Sequence, residues 1–161
     1  MIVVCNATPI IALAAVGQLD LLRAVYGGIL IPDAVFHEVA VAGAGEPGAH
    51  EVTEAGWIKR QTVHNAALVN ALGLELDLGE AEAIALAVEQ SAGLILLDER
   101  RGRHAAARLG LTVAGTLGVL IAAKDRGLLA LVRPVLDALR MQAGFWIGDE
   151  LHGAVLQVAG E

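Results

Sequence analysis

The sequence predicts an α/β fold in which a central parallel sheet carries helices on both faces. Hydrophobic residues make up 56% of the 161 residues and charged residues 18%, a composition that excludes intrinsic disorder. Aromatic residues are only 3%, so Ala, Leu, Val and Ile supply the apolar surplus, as in helices packed on a buried sheet. Apolar runs alternate with helical patterns through short connections, which favours parallel strands. The length suits a single domain over residues 1–161.

The first half of the chain predicts strands separated by helices. Ile2–Cys5 is apolar on both faces, as in a central strand, and Thr8 followed by Pro9 predicts a helix N-terminus. Helical spacing continues over Gln18–Val25 and ends at a glycine pair. The pattern then predicts a strand at Ile29–Pro32, a helix opened by Pro32 that contains Val35 to Val39, a loop at 43–48, a weak helix and an edge strand at Trp57–Lys59.

The second half begins with a helix N-terminus of the capping-box type. Asp77 and Glu80 form that box, and a helical pattern runs from Ala81 to Gln90. Leu94–Asp98 is the clearest buried strand. The remaining pattern predicts, in order, a helix at Arg100–Leu109, a strand at Thr112–Ala114, a helix at Leu117–Arg126, a helix at Pro134–Met141, and a closing strand and helix within Phe145–Val158.

Charge and cysteine content restrict the classes of protein. Eleven basic and 18 acidic residues give a formal charge of −7, which excludes a protein that holds nucleic acid with its whole surface. Any such contact must be local. The single Cys5 cannot form an internal disulfide, which favours a reducing compartment. Met1–Leu19 is uncharged, but polar residues and a proline interrupt it, so we expect a cytoplasmic protein without a membrane segment.

Polar side chains stand where the predicted strands give way to helices. In open parallel sheets, ligands bind beyond the carboxyl ends of the strands. The residues at those positions are Asn6, Asp98, Glu99 and Thr116, while Glu38 and Glu80 lie on helices near the same edge. Carboxylates that converge repel one another by about 1 kcal/mol or more per close pair unless a cation lies among them. Oxygen ligands without His or Cys favour Mg²⁺ or Mn²⁺, ions that assist phosphodiester hydrolysis.

Each of these residues also has a structural alternative. Glu80 serves equally well as the reciprocal member of the capping box with Asp77. Glu38 suits a solvated helix face, and Asp98 suits the N-cap of the helix that follows it. Thr8 suits the N-cap of the first helix, with its hydroxyl available to orient a ligand.

Glu82 is a further acidic candidate on the same helix as Glu80. The two residues are separated by roughly 200° around the helix axis, because a helix has 3.6 residues per turn. They therefore cannot face one site together, and one of them belongs to an outer layer or to the surface.

Positive charge concentrates on one predicted helix directly after Asp98. Arg100, Arg101, Arg103 and Arg108 lie there, which is a local bias in an acidic chain. One interpretation is a phosphate clamp beside the metal site. The other is a solvated amphipathic face, and the residues alone favour neither.

In this order and spacing, these segments resemble the PIN-domain nucleases, and most closely a compact prokaryotic branch related to VapC-type toxins. The resemblance covers nearly the whole chain. Its carriers are Val3–Ala14, Ile31–Val39, Leu78–Ala87, Leu96–Arg101, Gly115–Leu120 and Phe145–Ile147.

The resemblance implies a Rossmann-like sheet and a Mg²⁺ or Mn²⁺ site. The family's acidic positions fall on Asn6, Glu38, Glu80 and Asp98, with Glu82 and Glu99 as neighbouring acids, and Thr8 matches the usual Ser or Thr of the first motif. The departure is Asn6, because an amide oxygen coordinates a hard cation but brings no charge, so metal affinity should fall. The resemblance also implies a homodimer, an RNA substrate and an antitoxin partner.

Three functions follow as hypotheses. The first is a metal-dependent endoribonuclease of toxin type, in which Asn6, Glu38, Glu80 and Asp98 form the site and the arginine helix holds the RNA backbone. The second is a degenerate module that binds RNA or a protein without cleavage. The third is a small-molecule enzyme or nucleotide binder. The chain has no glycine-rich phosphate loop after the first strand, which argues against this third function.

Overall fold

A five-stranded sheet, parallel throughout, forms the centre of the molecule in a computed structural model that describes residues 1–161. Its strands are β1 (Val3–Cys5), β2 (Ile29–Pro32), β3 (Ile58–Gln61), β4 (Leu94–Leu96) and β5 (Val113–Ala114). Their spatial order is β3-β2-β1-β4-β5, and Val4 pairs with Leu30 on one side and Ile95 on the other. The predicted parallel sheet is confirmed, with β3 as an edge strand.

Ten α-helices surround the sheet. They are α1 (Ala7–Ala15), α2 (Asp20–Tyr26), α3 (Asp33–Phe36), α4 (Ala49–Glu54), α5 (Ala66–Leu72), α6 (Leu78–Glu89), α7 (Arg100–Arg108), α8 (Thr116–Asp125), α9 (Arg133–Gln142) and α10 (Asp149–Val158). Helix α3 continues directly into a π-helical segment, His37–Ala42. No helix has the length and apolar character that crossing a bilayer requires.

Both faces of the sheet are buried, because alternate strand residues enter two separate cores. Cys5 and Leu96 belong to the larger core, together with residues of α1, α2, α8, α9 and α10. Val4 and Ile95 belong to the smaller core, with residues of α6 and α7. This two-sided burial explains why the strands are continuous apolar runs and not alternating ones.

The start of α1 differs from the prediction. The helix begins at Ala7, and Asn6 precedes it in an extended conformation. Asn6 is still held by the sheet, since its amide donates to the Leu96 carbonyl at 3.0 Å. Thr8 is therefore inside the first turn and is not the N-cap. Pro9 is tolerated there, because the amides of the first turn have no partner within the helix.

The predicted closing strand near Phe145 is wrong. Phe145 and Ile147 do turn towards the larger core, which imitates the two-residue period of a strand. The sheet ends at β5, however, and the Phe145 amide donates to the Leu139 carbonyl of α9. The segment 143–148 is thus an irregular connection between α9 and α10. Helix α5 was not predicted.

The strand order places a crevice between β1 and β4. The chain proceeds from β1 to β2 and β3 on one side, and then crosses over to β4 and β5 on the other. Consecutive connections therefore diverge at the carboxyl ends of β1 and β4, which is where ligands bind in open parallel sheets. Asn6 follows β1 at this point, and Asp98 follows β4 by two residues.

Candidate functional site

Asn6 occupies the centre of the crevice with an unpartnered polar atom. The residue is 5% exposed, and its Oδ1 atom is buried without a hydrogen-bond partner. Leaving such an atom unsatisfied costs about 1–3 kcal/mol. Buried side-chain oxygens in proteins nearly always have a partner, so this one calls for an explanation in terms of a ligand.

Three oxygens surround one small space next to Gly79. A β-carbon on residue 79 would lie 3.1 Å from Glu38 Oε1, 3.5 Å from Asp77 Oδ1 and 3.6 Å from Asn6 Oδ1. No two of these oxygens can be farther apart than the sum of their distances to that point. One hydrated divalent ion can bridge such a span. The absence of a side chain at Gly79 keeps the space open.

The π-helical segment positions Glu38. Its wider turn follows α3, whose Ala34 amide donates to Glu82 Oε1 of α6 at 3.0 Å. Single π-helical turns occur often at functional sites. Glu38 is exposed as a residue, as the solvated-face alternative predicts, but partial burial of its carboxyl raises its pKa above the usual value. The charge of Asp77 raises this pKa further. Glu38 therefore lies where a second negative charge is already close.

Glu80 is the most perturbed acid of the crevice. It is 7% exposed, and its Oε2 atom lies 2.8 Å from the position that a β-carbon on Gly102 would occupy. Burial raises the pKa of Glu80 to about 7, assisted by a hydrogen bond and repulsion from Asp77 and by the charges of Glu99 and Glu38. Without a cation, the carboxyl of Glu80 is thus partly protonated at neutral pH.

Asp77 belongs to the same cluster, which sequence reasoning missed. It is the N-cap of α6, since its Oδ1 accepts from the Glu80 amide at 2.8 Å, and this half of the capping box is confirmed. The other half is not formed, because Glu80 Oε2 is directed at Gly102 of α7. Because the cap already explained Asp77, its position among the oxygens of the crevice was not predicted. Gly79, two residues later, indicated an open space there.

Asp98 is anchored at the start of α8. Its Oδ1 accepts from the Thr116 amide at 2.8 Å and its Oδ2 from the Thr116 hydroxyl at 2.7 Å. The alternative that Asp98 caps α7 is wrong, since Glu99 precedes that helix and no side chain caps it. Burial raises the pKa of Asp98, while the Thr116 bonds and the charge of Arg103 oppose the rise.

Glu82 and Glu99 lie outside the oxygen cluster. Glu82 is directed at α3 through its bond to Ala34, on the other side of α6 from Glu80, as the helical angle between them requires. Glu99 is exposed, and it acts on the crevice through its charge, which contributes to the raised pKa of Glu80. Glu82 on α6 therefore supports the start of α3, whereas Glu99 before α7 faces solvent.

The three arginines at the N-terminal end of α7 divide into two kinds. Arg103 is half-buried, and its Nη1 donates to the Leu97 carbonyl at 3.0 Å, close to Asp98. Arg100 and Arg101 are exposed and form no salt bridge. Their guanidinium groups are free for an anionic ligand, whereas Arg103 is oriented by one hydrogen bond at the end of β4 and keeps its other donors.

The donor chemistry fits a hard divalent cation, although the side chains do not form a closed ligand set. No three His, Cys, Asp or Glu side chains converge with the geometry of a metal centre. The cluster offers carboxylate oxygens and one amide oxygen, which Mg²⁺ and Mn²⁺ prefer. The unsatisfied Asn6 Oδ1 is the atom that such an ion would supply with a partner.

Comparison with models of protein families gives a match over nearly the whole chain. A family model, DUF3368, described as a PIN domain, matches residues 2–161. No curated protein matches the chain.

Proposed function

The chain belongs to the PIN-domain family, and on that premise we propose that it is a metal-dependent endoribonuclease that hydrolyses RNA phosphodiester bonds as the toxin of a toxin–antitoxin pair. PIN domains are generally nucleases that use divalent metal ions, which supports a nuclease-type function. We further propose that the substrate is RNA, that the ion is Mg²⁺ or Mn²⁺, and that the protein acts as a toxin.

One observation carries the proposal. The buried Asn6 Oδ1 has no partner, and it faces the same space as Glu38 Oε1 and Asp77 Oδ1 at the carboxyl end of the central strand. Burial raises the pKa of Glu38 and of Glu80, and the negative charge of Asp77 raises both further. A cation in this space would give Asn6 Oδ1 a partner and would reduce the repulsion between the carboxylates. The arrangement therefore supports a metal site.

Each residue has a proposed task. Asn6, Glu38, Asp77 and Glu80 would hold the ion, with Asp98 beside them. A bound ion would polarise phosphate oxygens and lower the pKa of water. Burial and neighbouring charges raise the pKa of Glu80 to about 7 without a cation, and a bound cation would keep this carboxyl ionised at neutral pH. Thr116 keeps Asp98 in place.

Substrate binding is assigned to α7 and α1. Arg100 and Arg101 are exposed, so they can approach the RNA backbone and hold its phosphates, with Arg103 nearer to Asp98. Thr8 is half-buried in the first turn of α1, next to Asn6. We assign Thr8 to orienting the substrate.

The experiment is an RNA cleavage assay over a Mn²⁺ titration. A structured RNA with stems and loops is incubated with the wild type and with Asp98→Asn and Glu38→Gln. We expect Mn²⁺-dependent cleavage that both substitutions abolish. Asp125→Asn is the matched control, because Asp125 is exposed at the far end of α8, whose first residue holds Asp98. Equal cleavage by wild type and Asp98→Asn would remove the proposal.

The second candidate is a PIN module that binds RNA or a protein without cleaving. The neutral Asn6 and the engagement of both Asp98 oxygens by Thr116 favour it. It predicts no Mn²⁺ binding by calorimetry and no nuclease activity in Asn6→Asp. A nuclease tuned by Asn6 should bind Mn²⁺ and gain activity from that substitution, so the two candidates give opposite results.

Partners and location complete the proposal. We propose a homodimer in the cytoplasm, and an antitoxin that covers the crevice. Large apolar side chains remain exposed on helices and in the connections between them, which supports association with another chain; they include Val41, Leu74, Leu78, Leu131, Met141 and Val158. Light scattering of the isolated protein tests the dimer, and a monomer at micromolar concentration would refute it.

A further inference from the structure

A groove adjoins the crevice on the side of Asp98. It encloses about 530 Å³, within the range of sites that hold small ligands. Asp98 and Arg103 form its polar end, and Phe145, Trp146 and Leu151 line its apolar wall. The groove therefore connects residues of the candidate site with an aromatic surface.

Trp146 is held outward by its neighbours. It is 85% exposed, although the whole chain contains only five aromatic residues. Ile147 is buried in the larger core, and Phe145 packs against that core, so the residues on both sides are anchored. An indole with this exposure contributes little to folding, because most of its surface stays in water. Its position calls for a role other than packing.

The indole of Trp146 also lies against Gly148. Its Cη2 and Cζ3 atoms lie 3.1 and 3.2 Å from the position that a β-carbon on Gly148 would occupy. The ring thus rests on a residue without a side chain. This arrangement limits the orientations of the ring and lowers the entropy cost of binding a ligand on its open surface.

We propose that this groove binds an unpaired base of single-stranded RNA, stacked on Trp146, with the adjoining phosphate at Arg103. The inference rests on the proposed function, because it places a substrate nucleotide beside Asp98. A base within a duplex has no free face, whereas an unpaired base stacks on aromatic side chains. Arg103 uses one N–H for the Leu97 carbonyl, and its guanidinium has four more donors for a phosphate.

The experiment measures binding without requiring cleavage. A fluorescently labelled single-stranded oligoribonucleotide is titrated with protein at low salt, once in EDTA and once in Ca²⁺, and anisotropy is recorded. We expect Trp146→Ala to weaken binding by roughly 5- to 150-fold, the usual loss of one stacked base. Trp146→Phe should recover much of the affinity, because an aromatic face is restored.

Controls separate stacking from other effects. Trp57→Phe changes the other tryptophan, which lies at the opposite end of the strands, after α4 and before β3, and it should leave the affinity unchanged. The variant also leaves Trp146 as the only indole, whose emission the single strand should quench. A blunt-ended duplex of the same composition, in which every base is paired, should bind more weakly.

Several results would overturn the inference. They are equal affinity of wild type and Trp146→Ala, no binding in either buffer, equal affinity for the duplex, or an emission change of Trp146 with protein concentration alone, which would identify a second copy as the occupant. Failure of the proposed function looks different. A wild type that never cleaves, but binds single strands through Trp146, keeps the groove and removes the nuclease.

Discussion

Asn6 Oδ1 and Glu38 Oε1 face one small space, each within 3.6 Å of the point where a β-carbon on residue 79 would lie. The first residue follows β1 and the second lies on the π-helical segment after α3, so two distant parts of the chain meet there. The amide oxygen of Asn6 and an ionised carboxylate oxygen of Glu38 both lack a proton to donate. Neither can therefore bond to the other, and each needs a third group as its partner. A hard cation is such a group.

Asn6→Asp should destabilise the metal-free protein and increase its response to Mn²⁺. The new carboxylate adds repulsion next to Glu38, which we expect to lower the free energy of unfolding by roughly 1 kcal/mol or more in EDTA. Mn²⁺ should reverse this loss, and urea unfolding with and without the ion measures it. Asn65→Asp is the matched control, since Asn65 caps α5 and aspartate caps equally well. An unchanged response to Mn²⁺ would contradict the metal site.

Gly79→Ala should fill the space between the oxygens. The β-carbon would stand 3.1 Å from Glu38 Oε1, so that carboxylate must move away. We expect Mn²⁺ affinity, measured by calorimetry, to fall on the order of tenfold, while the free energy of unfolding rises by up to about 1 kcal/mol from the helix propensity of alanine.

The control for this prediction is Gly153→Ala. Gly153 lies within α10, and no atom approaches its β-carbon position within 4 Å. It should give the same gain in stability and no change in Mn²⁺ affinity. If Gly79→Ala binds Mn²⁺ as well as the wild type does, the space beside Gly79 is not the ion site.

Glu80→Gln should remove a pH dependence of stability. The folded-state pKa of Glu80 is raised from 4.5 to about 7, so the folded protein binds more protons than the unfolded chain between these values. Stability from this group is therefore complete below about pH 4.5 and is lost as the pH rises through 7. Relative to wild type, Glu80→Gln should gain about 1 kcal/mol or more between pH 5 and pH 8.

Urea unfolding at the two pH values measures that gain. The control is Glu54→Gln, an exposed acid at the end of α4, which should change stability equally at both. A wild type and Glu80→Gln with parallel pH profiles would show that Glu80 ionises as freely in the folded protein as in the unfolded chain.

Thr116→Val should loosen the anchor of Asp98. The fully buried hydroxyl donates to Asp98 Oδ2 at 2.7 Å, and valine has the same shape without the donor. We expect a loss of about 1–3 kcal/mol in the free energy of unfolding, because a buried carboxylate oxygen loses its partner. Thr116→Ser retains the donor and should lose less. Equal stability of the serine and valine variants would contradict a role for the hydroxyl.

Glu161→Gln should make the protein less sensitive to acid. Glu161 accepts from Lys124 Nζ at 2.9 Å and from the Val132 and Arg133 amides at the start of α9. These donors lower its pKa from 4.5 to about 2. The stability it contributes is present above pH 4.5 and is lost as the pH falls towards 2.

Thermal unfolding between pH 6 and pH 2.5 tests this prediction. The wild-type melting temperature should fall more steeply with acid than that of Glu161→Gln. Glu150→Gln, an exposed acid in the first turn of α10, is the control and should retain the wild-type slope. Identical slopes for wild type and Glu161→Gln would refute the anchoring role.

Sequence reasoning was most successful for elements with strong local signals. The apolar run around Leu94–Leu96 and the Asp77 cap of α6 are confirmed, because burial on both faces and helix capping leave a mark within a few residues. The closing strand at Phe145 was wrong, since two inward residues imitate a strand that has no neighbour to pair with. Pairing is a long-range property, and periodicity does not report it.

For the candidate site, sequence reasoning located residues but not their contacts. Asn6, Glu38 and Glu80 lie around the crevice, as the ends of parallel strands predict. The membership of Asp77, the direction of Glu82 towards α3 and the attachment of Asp98 to Thr116 were not predicted. Each depends on a partner 18 or more residues away or on the direction of one side chain.

The sequence alone determines the alternation of apolar strands and helices. It also determines the succession of polar residues at the strand ends, because both follow from local backbone periods. Which oxygens share one space was decided by tertiary structure. A carboxylate is directed by the groups that approach it from other elements, as Thr116 approaches Asp98 and the bare backbone of Gly102 admits Glu80. Those approaches exist only after the helices have packed on the sheet.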